Sequence, residues 1–317
     1  MDAKTPAAAD DTWTTRRLLR WMIDHLEKRG VDSPRLSAEM LLAAAFGVER
    51  LELYMDPERP ASEAERARLR DSVKRVAAHE PVQFVVGEAW FFSRPFHVSP
   101  ATLVPRPETE RLVEEAISFL RERGSEDTTA GAAGADSDAG RSGAALRVLD
   151  LCTGTGCIAI SLALAKGVRA EVIATDIVPA ALELAKRNAE RHGAENIEFR
   201  FGDLYDALDG ASGGEFDLIT ANPPYVTDAE WPELPPNVRD YEPAISLRGG
   251  ADGLDLVRRV VDGAAARLRP GGLLLVEIGH RHRAPALELV ARAPGFAGAE
   301  VLVDHEGVDR VLRAAKA

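Results

Sequence analysis

The chain has 317 residues, of which 45% are hydrophobic and 28% charged. That length suits one large domain or two smaller ones, and the balance excludes a wholly disordered chain, a collagen and a disulfide scaffold. With 51 acidic and 39 basic side chains the formal charge is −12, which disfavours general binding to duplex DNA, where affinity rests on neutralising phosphates.

Residues 1–11 read as a disordered tail with no apolar signal core, and no apolar run approaches the ~18 residues needed to cross a bilayer. Leu18, Leu19, Met22, Ile23 and Leu26 then recur at helical spacing over Thr14–Arg29, and Gly30 ends that helix. Further helices are expected over Pro34–Phe46 and Ser62–His79, giving a small helical domain over residues 1–80. Pro81–Gly87 predicts a strand and turn, and Trp90–Phe92 with Phe96–Val98 predicts a hairpin, so 81–107 is expected to be a hairpin linker.

Residues 108–317 alternate between strand and helix patterns. A helix is expected over Glu108–Arg121, and 124–145, rich in Gly, Ala, Ser, Asp and Thr, reads as a disordered insertion. Strands are expected at Arg147–Leu151, Glu171–Thr175, Ile197–Arg200, Phe216–Thr220 and Leu273–Ile278, the last after a Pro270-Gly271-Gly272 turn. Helices are expected at Ile158–Ala165, Pro179–His192 and Gly253–Leu268, with two further strands near Ala299–Val303 and Val308–Arg313. This alternation predicts an α/β fold with a doubly wound, mostly parallel sheet.

Two places carry chemistry. After the first strand comes Cys152-Thr153-Gly154-Thr155-Gly156, opening a helix. Glycines let backbone approach a ligand, and a helix N-terminus favours polar or anionic groups. Cys152 stands where the first glycine of such a run is usual, so the tight-turn role is expected to pass to Gly154. Asp176, ending the next strand, is placed to accept hydrogen bonds from the hydroxyls of an adenosine ribose. NAD enzymes share this pattern, so at this point several nucleoside cofactors fit.

The second place is Asn222-Pro223-Pro224-Tyr225, at the C-terminal end of a strand, where open α/β sheets bind ligands. A planar NH2 group is a weak nucleophile because its lone pair is delocalised. The Asn222 side-chain oxygen and the Pro223 carbonyl can each accept one of its N–H bonds and aim the nitrogen at a methyl donor. Pro223 and Pro224 stiffen the backbone and bring no competing N–H. Tyr225 offers a flat face to a planar substrate.

Asn-Pro-Pro-Tyr resembles the signature of methyltransferases that use S-adenosylmethionine on planar nitrogens. The wider chain is similar to the HemK/PrmC family, the N(5)-glutamine methyltransferases of peptide chain release factors. The matching segments are PVQFVVGEAWFF (81–92), LVPRPETERLVE (103–114), VLDLCTGTGCIAI (148–160), TDIVPAALELAKRNA (175–189), NPPYV (222–226), YEP (241–243) and GGADGLDLVRR (249–259). The resemblance spans about residues 14–315 and implies a Rossmann-like class I methyltransferase domain. Cys152, Thr153, Gly154, Thr155 and Gly156 would line the methionine moiety of S-adenosylmethionine, Asp176 would bind the ribose, and Asp203 and Leu204 would border the adenine. Asn222 would touch both donor and substrate. The partner would be a release factor, presenting the glutamine of a Gly-Gly-Gln loop, with the helical domain helping to dock it. No metal, membrane or direct nucleic-acid contact is implied, and the expected form is a cytoplasmic monomer.

Other readings remain open in the sequence. A sister group methylates a glutamine of a ribosomal protein, and the cysteine of LCTGTG resembles that group. A DNA adenine methyltransferase would use the same Asn222 logic, although no basic target-recognition region is visible. A protein that binds S-adenosylmethionine without catalysis belongs to another class, against which intact Asn222 and Tyr225 speak. Cys152 and Cys157 are spaced like neither a zinc knuckle nor a redox CxxC pair and read as reduced thiols of a cytosolic protein. His280 and His282 read as part of a solvated loop, and Arg258 and Arg259 as a solvated helix face. Trp90, Phe91 and Phe92 read as packing residues. Arg106 and Glu108 shape the pocket or pair with each other, and Glu277 supports the pocket or caps a turn.

Overall fold

The structure, a computed structural model, describes residues 12–132, 145–208 and 215–317. The chain forms two compact units, Met1–Gly87 with Pro236–Tyr241, and Glu88–Pro235 with Glu242–Ala317. The expected tail at 1–11 lies outside the described residues.

The first unit is helical: α1 (Thr15–Lys28), α2 (Pro34–Phe46), α3 (Glu52–Met55), α4 (Glu63–Val76) and α5 (Val82–Val86). The Thr14 side chain caps α1, and Ser62 and Glu65 form a reciprocal capping box at α4, satisfying amides that have no partner within a helix. Leu18, Met22 and Leu26 of α1 pack with Leu41 and Leu42 of α2 and Leu69 and Val73 of α4. Residues 81–87, expected as strand and turn, are instead a helical turn, with the Gly87 amide donating to the Gln83 carbonyl at 2.7 Å. Val82 joins the helical core, and this burial overrides the local β preference of its valines. The unit boundary therefore falls at Gly87, inside the segment expected to be a linker.

The second unit begins with the hairpin β1 (Glu88–Phe91) and β2 (Arg94–His97), then α6 (Glu110–Ala132). The helix runs well past Arg121, so the first part of the segment expected to be disordered is helical. Extending a formed helix adds one hydrogen bond per residue fixed, so composition too poor to start a helix can still continue one. The rest of that segment, 133–144, lies outside the described residues.

The chain continues through β3 (Leu146–Leu151), α7 (Cys157–Ala163), β4 (Ala170–Asp176), α8 (Pro179–His192), β5 (Ile197–Phe201), β6 (Phe216–Ala221) and β7 (Val226–Thr227). Next comes α9 (Pro236–Arg239), which belongs to the first unit. The remainder is β8 (Arg248–Gly250), α10 (Asp255–Ala264), β9 (Leu268–Glu277), α11 (Arg283–Arg292), β10 (Phe296–Val303) and β11 (Asp309–Lys316).

The large sheet has the order β10-β11-β9-β6-β3-β4-β5. Strands β9, β6, β3, β4 and β5 are parallel, and β11 and β10 add antiparallel. Central strands such as β6 are buried along their whole length, as a sheet covered on both faces requires. Val257, Val260, Val261 and Ala264 form the buried stripe of α10. Pro270-Gly271-Gly272, expected as a turn before the strand, lies within β9, where the register with β6 shifts and the extra residues bulge. From β3 the sheet grows in both directions, to β4 and to β6. That reversal opens a crevice beyond the carboxyl ends of these strands.

Candidate active site

A cleft lies at this crevice, where open α/β sheets bind their ligands. Cys152, Gly154, Asp176, Asp203, Leu204, Asn222 and Pro224 line it. Thr153, Thr155, Gly156, Pro223 and Tyr225 are not in its lining, and Thr153, Thr155, Gly156 and Tyr225 are held by contacts around it.

The turn after β3 is held from beneath. Thr153 is buried and its hydroxyl donates to Asp150 at 2.6 Å, while the Thr220 hydroxyl donates to the other Asp150 oxygen at 2.8 Å. Burial pushes the Asp150 carboxyl up to about 6, against the pull of these hydroxyls. The Thr155 carbonyl accepts from Asn188 at 2.9 Å, and Asn188 also pairs with both backbone groups of His97 in the hairpin. Gly156 has φ 79°, and a Cβ there would sit 3.1 Å from the Ala185 and Ile160 side chains, so α7 and α8 pack closely at that point. Cys152 has φ 57° and Gly154 φ 55°. Gly154 takes the left-handed turn expected of it, and Cys152 shares it. Both residues are left-handed, and the cysteine carries a conformation that glycine holds without steric cost.

Asp176 closes this side. One carboxylate oxygen accepts from the Gly154 amide at 2.9 Å and the other from the Val178 amide at 2.9 Å. Each oxygen keeps a further lone pair for a ligand hydroxyl. Burial raises this carboxyl, and the backbone amides pull it back. Thr175 is fully buried beside the cleft, and its hydroxyl has no hydrogen-bond partner among the described residues. These features fit the ribose and polar tail of S-adenosylmethionine.

The other side is built from side chains distant in sequence. The Asn222 amide donates to the Thr109 hydroxyl oxygen at 3.3 Å, Thr109 donates to Glu277 at 2.6 Å, and Tyr225 donates to the other Glu277 oxygen at 3.1 Å. Glu277 is buried at the end of β9. It neither lines the cleft nor caps a turn, but ties Thr109 to Tyr225. Burial, with Glu277 beside it, raises the Tyr225 hydroxyl further above its ordinary value, so it remains a donor.

Glycines let another strand reach this loop. A Cβ on Gly249 would lie 2.8 Å from the Pro224 carbonyl oxygen, and one on Gly253 would lie 2.4 Å from the Tyr225 carbonyl oxygen. Val226 and Asp228 complete the support, donating their amides to Leu247 and Gly250 at 2.8 and 3.0 Å.

Several expectations about single residues change. Arg106 pairs with buried Glu242 at 2.5 Å, not with Glu108, and Glu242 also accepts the Val104 amide at 3.1 Å. This contact joins the PRPETE and YEP segments. Arg258 and Arg259 lie on the solvated helix face expected of them, where Arg259 pairs with Asp203 at 2.9 Å and Arg258 with Asp252 and Asp255. His282 is buried rather than solvated, wedged against Gly253 and Gly279. Among the described residues, no group of three or more His, Cys, Asp or Glu is placed to hold a metal. Phe91 is buried packing, but Trp90 is 59% exposed. Thr102, Thr175 and Ile245 line the cleft, and no sequence pattern singled them out. Thr109 lay inside the PRPETE run, with its spacing to Asn222 hidden by the fold.

Over residues 17–87 the chain matches the family described as the PrmC N-terminal domain, and over residues 142–277 a methyltransferase domain. It is 39% identical over 302 residues to a release factor glutamine methyltransferase of Geobacter sulfurreducens, covering 95% of this chain and 96% of that one. A protein of the same name from Chlorobaculum tepidum is 37% identical over 305 residues, covering 96% and 97%. Among solved structures, a methyltransferase from Pyrococcus furiosus is similar at 18% identity over 80% of this chain and 99% of that chain, with a TM-score of 0.48.

Proposed function

The chain belongs to the release factor glutamine methyltransferase family, and from that premise we propose how its residues carry out the transfer. The donor is S-adenosylmethionine and the acceptor is the side-chain amide nitrogen of a release factor glutamine. Relatives carrying the release factor name cover nearly the whole chain, which favours this reading over the ribosomal-protein, adenine and non-catalytic alternatives.

When bound, S-adenosylmethionine supplies an electrophilic sulfonium methyl group. Asp176 would hold its ribose hydroxyls, the Cys152–Gly156 turn its methionine moiety, and Asp203 with Leu204 would border its adenine. Asn222 and the Pro223 carbonyl accept the two N–H bonds of the glutamine amide. That grip orients a nitrogen too weak to attack unaided, and orientation is the main source of the rate. The prolines add no donor to compete for the same acceptors. Tyr225, fixed through its hydroxyl, presents its ring to the planar amide. The proton released by the amide leaves to water.

The glutamine is that of the Gly-Gly-Gln loop. The helical unit docks the release factor, and the exposed apolar residues Leu51, Tyr54 and Met55 of that unit support this assignment. We read the protein as a cytoplasmic monomer that meets the free factor without nucleic acid or membrane. Its charge of −12 and its free cysteines support that setting. No helix among the described residues is long and apolar enough to cross a membrane.

The observation that carries the reading is that Asp176 and Asn222 line one cleft. Mass spectrometry of a release factor incubated with the protein and S-adenosylmethionine tests it. One methyl group on the loop glutamine is expected. Methylation at another residue, or none, would refute it.

A further inference from the structure

We propose that Glu277 and Thr109 are positioning residues that fix which end of the Asn222 amide faces the cleft. The inference rests on the reading of Asn222 as the acceptor that grips the substrate amide.

The direction follows from counting protons. A carboxylate has none to give, so both hydroxyls that meet Glu277 must donate to it, Thr109 at 2.6 Å and Tyr225 at 3.1 Å. Thr109 has one hydroxyl proton, and Glu277 takes it. Toward Asn222 the Thr109 oxygen can then only accept, so the 3.3 Å contact must come from the Asn222 N–H. The Asn222 carbonyl oxygen is left for the cleft that the residue lines. A flipped amide would set two acceptors against each other and point a donor at the substrate's own N–H bonds.

The charges around Glu277 suit this role. Burial pushes its carboxyl above the usual range, while Thr109, Arg310 and Tyr225 favour the ionised form and Glu108 opposes it. The buried Cys157 thiol, pushed up to about 12 by its own burial, stays neutral. Arg310 is itself fixed by Asp304 at 3.3 Å. Protonation of Glu277 would free the Thr109 proton and release the constraint.

The test is steady-state kinetics on the full chain with a release factor, alongside calorimetric affinity for S-adenosylmethionine. Glu277→Gln brings an amide donor to the relay, and Thr109→Val removes the hydroxyl. Each should lower kcat by about 10²-fold, the scale of a misaimed reactive group, with cofactor Kd changed less than about threefold. Thr109→Ser should recover most of the turnover lost in Thr109→Val. In the wild type, kcat should fall on the acid side with an inflection above the ordinary glutamate range, and Glu277→Gln should lack that inflection. Wild-type kcat in Glu277→Gln, or equal losses in Thr109→Ser and Thr109→Val, would overturn the inference while leaving the functional reading intact. A wild-type protein that leaves the glutamine unmethylated would remove the functional reading and this inference with it.

Discussion

On one side of the cleft, Asp176 is held by amides no more than 22 residues away in the chain. On the other, Asn222 reaches Thr109 across 113 residues, and Thr109 reaches Glu277 across 168. The first wall is a backbone turn stiffened by a carboxylate. The second is a relay of side chains brought together only by the finished sheet. A turn of the first kind tolerates side-chain change, because its donors are peptide N–H groups. A relay of the second kind fails in direction when one member changes, because each hydroxyl has a single proton. The two walls should therefore separate under mutation, one in cofactor binding and the other in turnover.

The largest effect is expected on the relay side. Asn222→Ala removes an acceptor from the substrate amide and should lower kcat by roughly 10²-fold or more, as removal of other preorganised polar contacts does. Cofactor affinity should change little. Turnover near wild type would take Asn222 out of the mechanism.

Asp176→Ala should show the reverse division. It removes charge-assisted hydrogen bonds of about 1.5–3 kcal/mol each, so cofactor affinity should weaken by roughly one to two decades for each ribose hydroxyl released. At saturating cofactor much of the turnover should return. Unchanged calorimetric affinity would move the ribose to another part of the cleft.

A smaller effect is expected beneath the turn, in stability. The Asp150 carboxyl has a folded pKa of about 6 against an ordinary value of 3.8. Its folded state holds the proton more tightly, so the stability it contributes is fully present below the lower value and is lost as pH rises through the higher one. At 1.36 kcal/mol per unit this is about 3 kcal/mol in all. Urea unfolding of wild type and Asp150→Asn between about pH 4 and about pH 7.5 should show wild type losing most of that amount relative to the variant. A constant difference would mean that Asp150 is ionised in the fold at every pH tested.

The same contrast explains what could be read from the sequence. The doubly wound sheet, the Gly-containing turn and Asp176 are written in local periodicity and short spacings, and the fold places them where those signals point. Asn222 was legible because its chemistry is compressed into four residues. The meeting of Thr109 with Glu277 was not, because nothing in a chain of characters marks that they touch. The pairing of Arg106 with Glu242 was hidden in the same way. Local preference also misled where packing overruled it. The valines of α5 joined a helical core, and Pro270-Gly271-Gly272 was absorbed as a bulge in a strand. The glycines at 249 and 253 carried no visible purpose until the Pro224-Tyr225 backbone was found lying against them.

A crystal structure of the protein with S-adenosylhomocysteine and a peptide carrying Gly-Gly-Gln tests the division of the cleft most directly. The ribose should lie on Asp176, and the glutamine amide nitrogen should lie within hydrogen-bond distance of both Asn222 and the Pro223 carbonyl. Asn222 should still be joined through Thr109 to Glu277. A glutamine amide bound elsewhere, with Asn222 touching no atom of the peptide, would contradict the account.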